Sequence, residues 1–255
     1  LAGCLTRTSS PIWMDSSTAE ECAEIAETVG GNDEVCRRSG SIMVERFTGS
    51  QIRKFFKTEP QAYAETEVIH LVSSFFASIF AGKNVAIDHG DGAGMNLMNL
   101  ASGEWDEALV SATAEGLAEK LPAVALSATL SGSISSYFVE KYGFSSECET
   151  VIWSGDNPCS LIGMGAAMPG KIVISLGASD NLFAAMWEAK TDPQGFGHAF
   201  GNPAGGYMSL ICFKNGSLAR EAVKNEFDLE WSAFEKEGLA ETPIGNWGLM
   251  MLPFY

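Results

Sequence analysis

The sequence predicts a two-part α/β protein, on three observations. A short apolar strand, a polar turn and an apolar helical run follow one another between Val151 and Met168. Three strand-like runs then lie between Lys171 and Phe213, and helical patterns dominate the chain before and after them. At 255 residues there is room for one large domain or two smaller ones. Hydrophobic residues make up 46% and charged residues 19%, the balance of a folded globular chain rather than a disordered one.

Asp15 to Thr18 supplies an N-cap signal, and the helical pattern that follows from Ala19 ends at Gly30 and Gly31. Two further helical patterns fill Gln51 to Gly82, broken by Pro60. The second is apolar on nearly all sides from Ile69 to Phe80, which predicts a buried helix. Val85 to Asn99 is glycine-rich and carries two acids. Ser133 to Gly143 reads as an amphipathic helix closed by a glycine. Val151 to Trp153 is the short strand, Ser154 to Asp156 the turn, and Asn157-Pro158 the start of a helix through Met168. Lys171 to Leu176 and Leu182 to Met186, joined by Gly177 to Asn181, form a β-hairpin pattern, and Gly205 to Phe213 gives a third strand. Helical patterns resume from Ser217 to Phe227 and around Trp231 to Lys236. The fresh start near Pro169 divides the chain into expected domains at 1–168 and 169–255.

The formal net charge of −16 excludes a generic electrostatic grip on nucleic acid or an anionic membrane. A phosphorylated ligand must therefore be held locally, by backbone N–H groups, a metal ion or single cations. The six cysteines form no CxxC pair and read as reduced thiols, which points to the cytoplasm. The apolar run from Leu71 to Gly82 falls short of the ~20 residues that span a bilayer. The chain opens on Leu1 and closes on the apolar run Gly248 to Tyr255, and the expectation is a fragment.

Four places could carry chemistry. The turn Gly177, Ala178, Ser179, Asp180 can aim successive N–H groups and a hydroxyl at phosphate oxygens, or be a plain hairpin turn. The Walker pattern GxxxxGK[ST] is absent. Asp88 and Asp91 sit among glycines that let a ligand approach, and either acid can serve as general base on a hydroxyl or merely cap the helix that follows. Asp156 and Asn157 open a helix and are placed to bind hydroxyls. Arg46 can bind a polyol or pair with an acid. Neither His70, His89 nor His198 has metal-ligand spacing, so no protein-held metal is expected.

Seven segments in order add a resemblance: WMDSST (Trp13 to Thr18), ERFTGSQIRK (Glu45 to Lys54), HLVSSFFAS (His70 to Ser78), IDHGDGAGMNLM (Ile87 to Met98), SGDNPCSLIG (Ser154 to Gly163), ISLGASDNLF (Ile174 to Phe183) and CFKNGSL (Cys212 to Leu218). Together they resemble the FGGY carbohydrate kinases, in particular xylulose kinases of the eukaryotic type. The resemblance implies an actin-like ATPase architecture, two ribonuclease-H-like α/β domains with the active site between them. It implies ATP and Mg2+ as cofactors and D-xylulose as substrate, and leaves the oligomeric state open. By motif, Arg46, Asp156 and Asn157 match the family's sugar-binding residues, and Asp91 its catalytic base. Gly177 to Asp180 matches the second phosphate-binding loop, and Trp231 a tryptophan of the nucleotide pocket.

On that resemblance Asp91 would take the proton of the sugar's C5 hydroxyl as that oxygen attacks the γ-phosphorus. A carboxylate near its ordinary pKa of about 4 suffices for this. Two departures stand out. The family usually reads SLGTSD where this chain has Ala178, a lost hydroxyl donor at a cost of ~1–3 kcal/mol. The family's first phosphate hairpin and its glycine-rich adenosine motif have no match in these residues, so turnover by this chain alone is not expected.

Overall fold

The computed structural model describes residues 2–177, 179–213 and 216–250. Ala178, Asn215 and the closing run Met251 to Tyr255 lie outside them. The helical part comes first. Helix α1 (Ala19–Val29) buries Cys22, Ile25 and Ala26, the i, i+3, i+4 stripe of a one-faced helix. Left-handed Gly30 ends it, its N–H returning to the carbonyls of Ala26 and Glu27. Helices α2 (Asn32–Ser39), α3 (Thr48–Thr58) and α4 (Pro60–Glu65) follow, with Pro60 at the first position where a missing N–H costs nothing. Ile25, Val35, Ile52, Phe55, Leu109 and Leu117 meet in a first core.

Helix α5 (Val72–Ala81) corrects one expectation. Only Ser74 and Ala77 are buried in it, and Val72 is 76% exposed. Its apolar sequence predicted a helix covered all round, yet among the described residues its cover is partial, with Phe80 stacked on Phe138 and Trp153.

The middle of the chain alternates very short strands with helices: β1 (Ile87–Asp88), α6 (His89–Gly94), β2 (Met98–Asn99), β3 (Glu104–Trp105), α7 (Glu107–Thr113), β4 (Val124–Ala125), β5 (Leu130–Ser133), α8 (Ser136–Tyr142), β6 (Glu149–Val151) and α9 (Asp156–Gly163). The parallel pair β1–β4 marks the α/β character. Helix α8 ends at left-handed Gly143, where its sequence places the stop.

A four-stranded antiparallel sheet closes the second part: β7 (Ile172–Leu176), β8 (Asp180–Met186), β9 (His198–Gly201) and β10 (Tyr207–Phe213), in the order β7-β8-β10-β9. One face carries Phe183, Ala185, Met208 and Leu210, packed in a second core with Ala93 of α6 and Leu161 of α9. The alternation along β7 turns Ile172, Ile174 and Leu176 the other way, where each is 67–69% exposed. The second core therefore draws residues from both sides of Pro169. Helix α10 (Gly216–Glu226), α11 (Trp231–Ala233), a π-helical turn over Phe234–Leu239 and a 3-10 turn over Asn246–Gly248 complete the described chain. No helix among the described residues is long and apolar enough to cross a membrane.

Candidate active site

Strand β1 delivers Asp88 to the start of α6, and its side chain caps that helix. The carboxylate is 1% exposed and accepts from the amides of Asp91 (2.9 Å) and Gly90 (3.2 Å) and from the Ser154 hydroxyl (2.7 Å). The capping role that the sequence left open for these acids thus falls to Asp88. Asp91, three residues on, projects from the first turn and accepts a hydrogen bond from the Ser73 hydroxyl of α5.

Glycine explains how α9 comes so close. A Cβ on Gly90 would lie 2.8 Å from Cγ of Pro158, and one on Gly155 only 2.5 Å from Oδ1 of Asp91. The contact sets Asp156 and Asn157, in the first turn of α9, beside Asp91. Asp156 is exposed and accepts from the amide (2.8 Å) and side-chain Nδ2 (3.2 Å) of Asn157. Burial first, then the charge of Asp88, and further down that of Asp156, push the Asp91 carboxyl up to about 7. Burial likewise raises Asp88, against the hydrogen bonds that favour its ionised form. Asp91 is therefore not the ordinary carboxylate that sequence implied, and its affinity for protons suits proton transfer near neutrality.

Arg46 lies half-buried in the turn before α3. Among the described residues its side chain makes no hydrogen bond or ion pair. Its charge, after burial, holds His198 of β9 down to about 4. Phe47 packs on His198 and Phe200 of the same strand, whose Gly201 abuts His89 and Gly90 of α6. The loop ahead of α1 is pinned nearby, since Thr18 Oγ1 donates to the carbonyl of Glu45 at 2.6 Å. Among the described residues no hydrogen bond or ion pair joins Arg46 to Asp156 or Asn157.

Gly177 and Ser179 belong to the turn between β7 and β8, whose antiparallel pairing runs up to Leu176 and Asp180. The Asp180 carboxylate is engaged: both oxygens are held by the Arg220 guanidinium of α10, at 2.7 and 3.0 Å. That pairing, more than any other influence, keeps Asp180 below the usual carboxylate range. The amide of Ser217 also donates to the carbonyl of Gly177 at 2.7 Å, so the start of α10 is strapped to the turn. Ser179 lies within it, its carbonyl accepting from Asn181. Trp231, 46% exposed, sits past the far end of α10 under Lys224, whose Nζ is 5.6 Å from the ring centroid. One helix thus links the turn to the tryptophan. Arg220→Ala is expected to speed hydrogen exchange at the Ser217 amide by about tenfold, read by mass spectrometry, while amides of α1 exchange as before.

Sequence reasoning missed Ser73, Ser154 and Arg220. Each acquires its role through a partner far along the chain, and no spacing rule reports such pairs. Among the described residues no group of three or more His, Cys, Asp or Glu is arranged to hold a metal.

Comparison with known proteins adds an independent line. Residues 8–163 match the model of the FGGY family of carbohydrate kinases, N-terminal domain. The chain is 45% identical to a xylulose kinase of Rattus norvegicus over 251 residues, covering 97% of this chain and 46% of that protein. It is also 45% identical to xylulose kinase 2 of Arabidopsis thaliana, covering 93% of this chain and 43% of that one. Among solved structures, a xylulose kinase from Rhodospirillum rubrum superposes with a TM-score of 0.81 at 19% identity, covering 94% of this chain and 49% of that one. A glycerol kinase from Plasmodium falciparum gives 0.67 at 16%, covering 91% and 45%. The chain spans about half the length of the curated relatives it matches.

Proposed function

The chain belongs to the FGGY family of carbohydrate kinases and takes their actin-like ATPase fold, and from that premise we propose that it forms the sugar-site half of an ATP-dependent D-xylulose kinase. The product is D-xylulose 5-phosphate. The observation that carries the reading is the contact of α6 with α9, where Asp91, with a proton affinity suited to base catalysis, lies beside exposed Asp156 and half-buried Asn157.

In this reading residues 1–168 supply the sugar contacts, from Arg46, Asp156 and Asn157, and residues 169–255 supply nucleotide contacts. The latter are the turn of Gly177, Ser179 and Asp180, with Ala178 between them, and Trp231. The two parts share the second core, so they meet across packed side chains rather than at a free linker. Mg2+ enters with the phosphates of ATP, whose charge it neutralises. Asp91 accepts the C5 hydroxyl proton, Asn157 and Asp156 orient the sugar, and Arg220 holds the Asp180 carboxylate so that it does not confront phosphate unpaired.

A second assignment of the base has an observation in its favour: Asp156 is exposed, whereas Asp91 is half-buried and already bonded to Ser73. The two part on pH. With Asp91 as base, kcat falls as pH drops through about 7, because only the ionised carboxylate takes a proton; a kcat that stays level there removes Asp91 as base.

Calorimetric titration of D-xylulose onto the chain tests the sugar site, and ADP release by a protein that carries this sequence at its relatives' full length tests the transfer. Arg46→Ala is expected to weaken sugar binding roughly tenfold, the loss of one charged hydrogen-bond donor. Absence of xylulose binding by the folded chain rejects the reading, binding of glycerol or ribulose in its place moves it to another polyol, and binding without ADP release leaves a noncatalytic sugar-binding module.

A further inference from the structure

We propose that Asp88 is a positioning residue, one that fixes Asp91 and Asp156 beside each other by tying α6 to the turn that opens α9. The proposal rests on the kinase reading only for its consequence in turnover. Its basis is the set of three donors on one buried carboxylate. Two are backbone amides of α6, at Gly90 and Asp91; the third is the hydroxyl of Ser154, 66 positions further along the chain. A buried carboxylate needs such partners, and each partner is in turn held by it.

Ser154 is the residue through which this hold reaches the site. It precedes Gly155, whose backbone presses against Asp91, and Gly155 precedes Asp156. Two like charges brought this near repel, and the bonds that Asp156 accepts from Asn157 lie within α9 and do not tie it to α6. Asp88 does, because its Oδ2 grips Ser154 while its Oδ1 grips the amide of Asp91 itself.

Among the described residues, Asp91 is influenced by Asp88 of its own segment, Ser73 of α5 and Asp156 of α9; it acts in turn on Cys159 of α9, and His89 acts on Asp88. Strand β9 presents the backbone of Gly201 to α6. Releasing the Ser154 tether lets Asp156 withdraw, and it also favours protonated Asp88 by removing a donor to the ionised form. Both changes lower the proton affinity of Asp91.

The test is a carbon-13 NMR titration of the Asp91 carboxyl in the labelled chain, which needs neither sugar nor nucleotide. Ser154→Ala is expected to reduce the proton affinity of Asp91 about threefold, and Ser154→Thr, which keeps the hydroxyl, to restore it. Asp88→Asn removes the neighbouring charge and is expected to reduce it by about tenfold or more. If Asp88→Asn does not fold, the Ser154 pair decides alone. A Ser154 that matters only for packing would lower stability in Ser154→Ala without moving the titration, and an unmoved midpoint overturns the proposal. A shifted midpoint in a protein that releases no ADP keeps the proposal and rejects the kinase reading; ADP release with an unmoved midpoint does the reverse.

Discussion

Gly40→Ala is expected to destabilise the chain by about 4 kcal/mol or more, enough to unfold much of a population whose whole stability is on the order of 5–15 kcal/mol. Gly40 ends α2 at φ 91°, a conformation that an L side chain enters at roughly 1–2 kcal/mol. The steric clash costs more. A Cβ there would lie 2.2 Å from the carbonyl oxygen of Ala199 and 3.1 Å from Cδ2 of Leu100. The carbonyl cannot withdraw. The amide of Ala199 donates to the carbonyl of Gly40 at 2.9 Å, and its strand is paired along β10 and packed on α6. Gly30 is the control: φ is 111°, but nothing lies closer to its added Cβ than 3.9 Å, so Gly30→Ala carries the conformational cost alone, about 1 kcal/mol. Urea unfolding of the two variants, side by side, is the measurement. Equal losses would show that β9 does not press on α2 as described.

That contact also explains what sequence could and could not reveal. The helix stops at Gly30 and Gly143, the hairpin from Lys171 to Met186 and the strand through Phe213 depend on residues within a few positions of one another, and local patterns report them. Strand β9 escaped notice because its four residues, His198 to Gly201, stand among glycines and near Pro203, and only pairing with β10 makes them a strand. Helix α5 misled because hydrophobicity measures what a helix could bury, not what is there to cover it. In the candidate site, motif resemblance singled out Asp91, Asp156 and Asn157, and the structure brings them together at the contact of α6 with α9. Asp88 is different. It was visible as an acid among glycines, but its grip on Ser154 spans 66 positions and has no local signature. The same holds for Arg220, whose fork on Asp180 turns an expected phosphate-loop acid into an anchored one.

Asp91→Asn is expected to raise stability at pH 8 while reducing turnover by about a hundredfold or more, the scale of a lost general base. The stability argument starts from the folded value of about 7 against an ordinary 3.8. Because the folded state binds this proton more tightly than the unfolded one, the group's contribution to stability is full below about pH 4. It is lost as pH rises through about 7. At pH 8 the ionised Asp91 is then a liability on the order of 2 kcal/mol, allowing for solvent screening at a half-buried site. The amide of asparagine carries no charge against Asp88 and still accepts from Ser73, so the variant sheds that liability. Below about pH 4 the two proteins should unfold alike, and other carboxylates do not confuse the comparison. Asp180 and Glu34, both held low by arginine, lose their contributions on acidification equally in each protein. Thermal unfolding of the pair from pH 5 to 8 gives the difference directly. A difference that does not grow with pH would mean that Asp91 titrates in the ordinary range, and the base assignment would then rest on position alone. Retained turnover with the stability gain intact would move the base to Asp156. The two readouts separate because burial and the Asp88 charge set the proton affinity of Asp91, whereas catalysis depends on where the sugar hydroxyl sits.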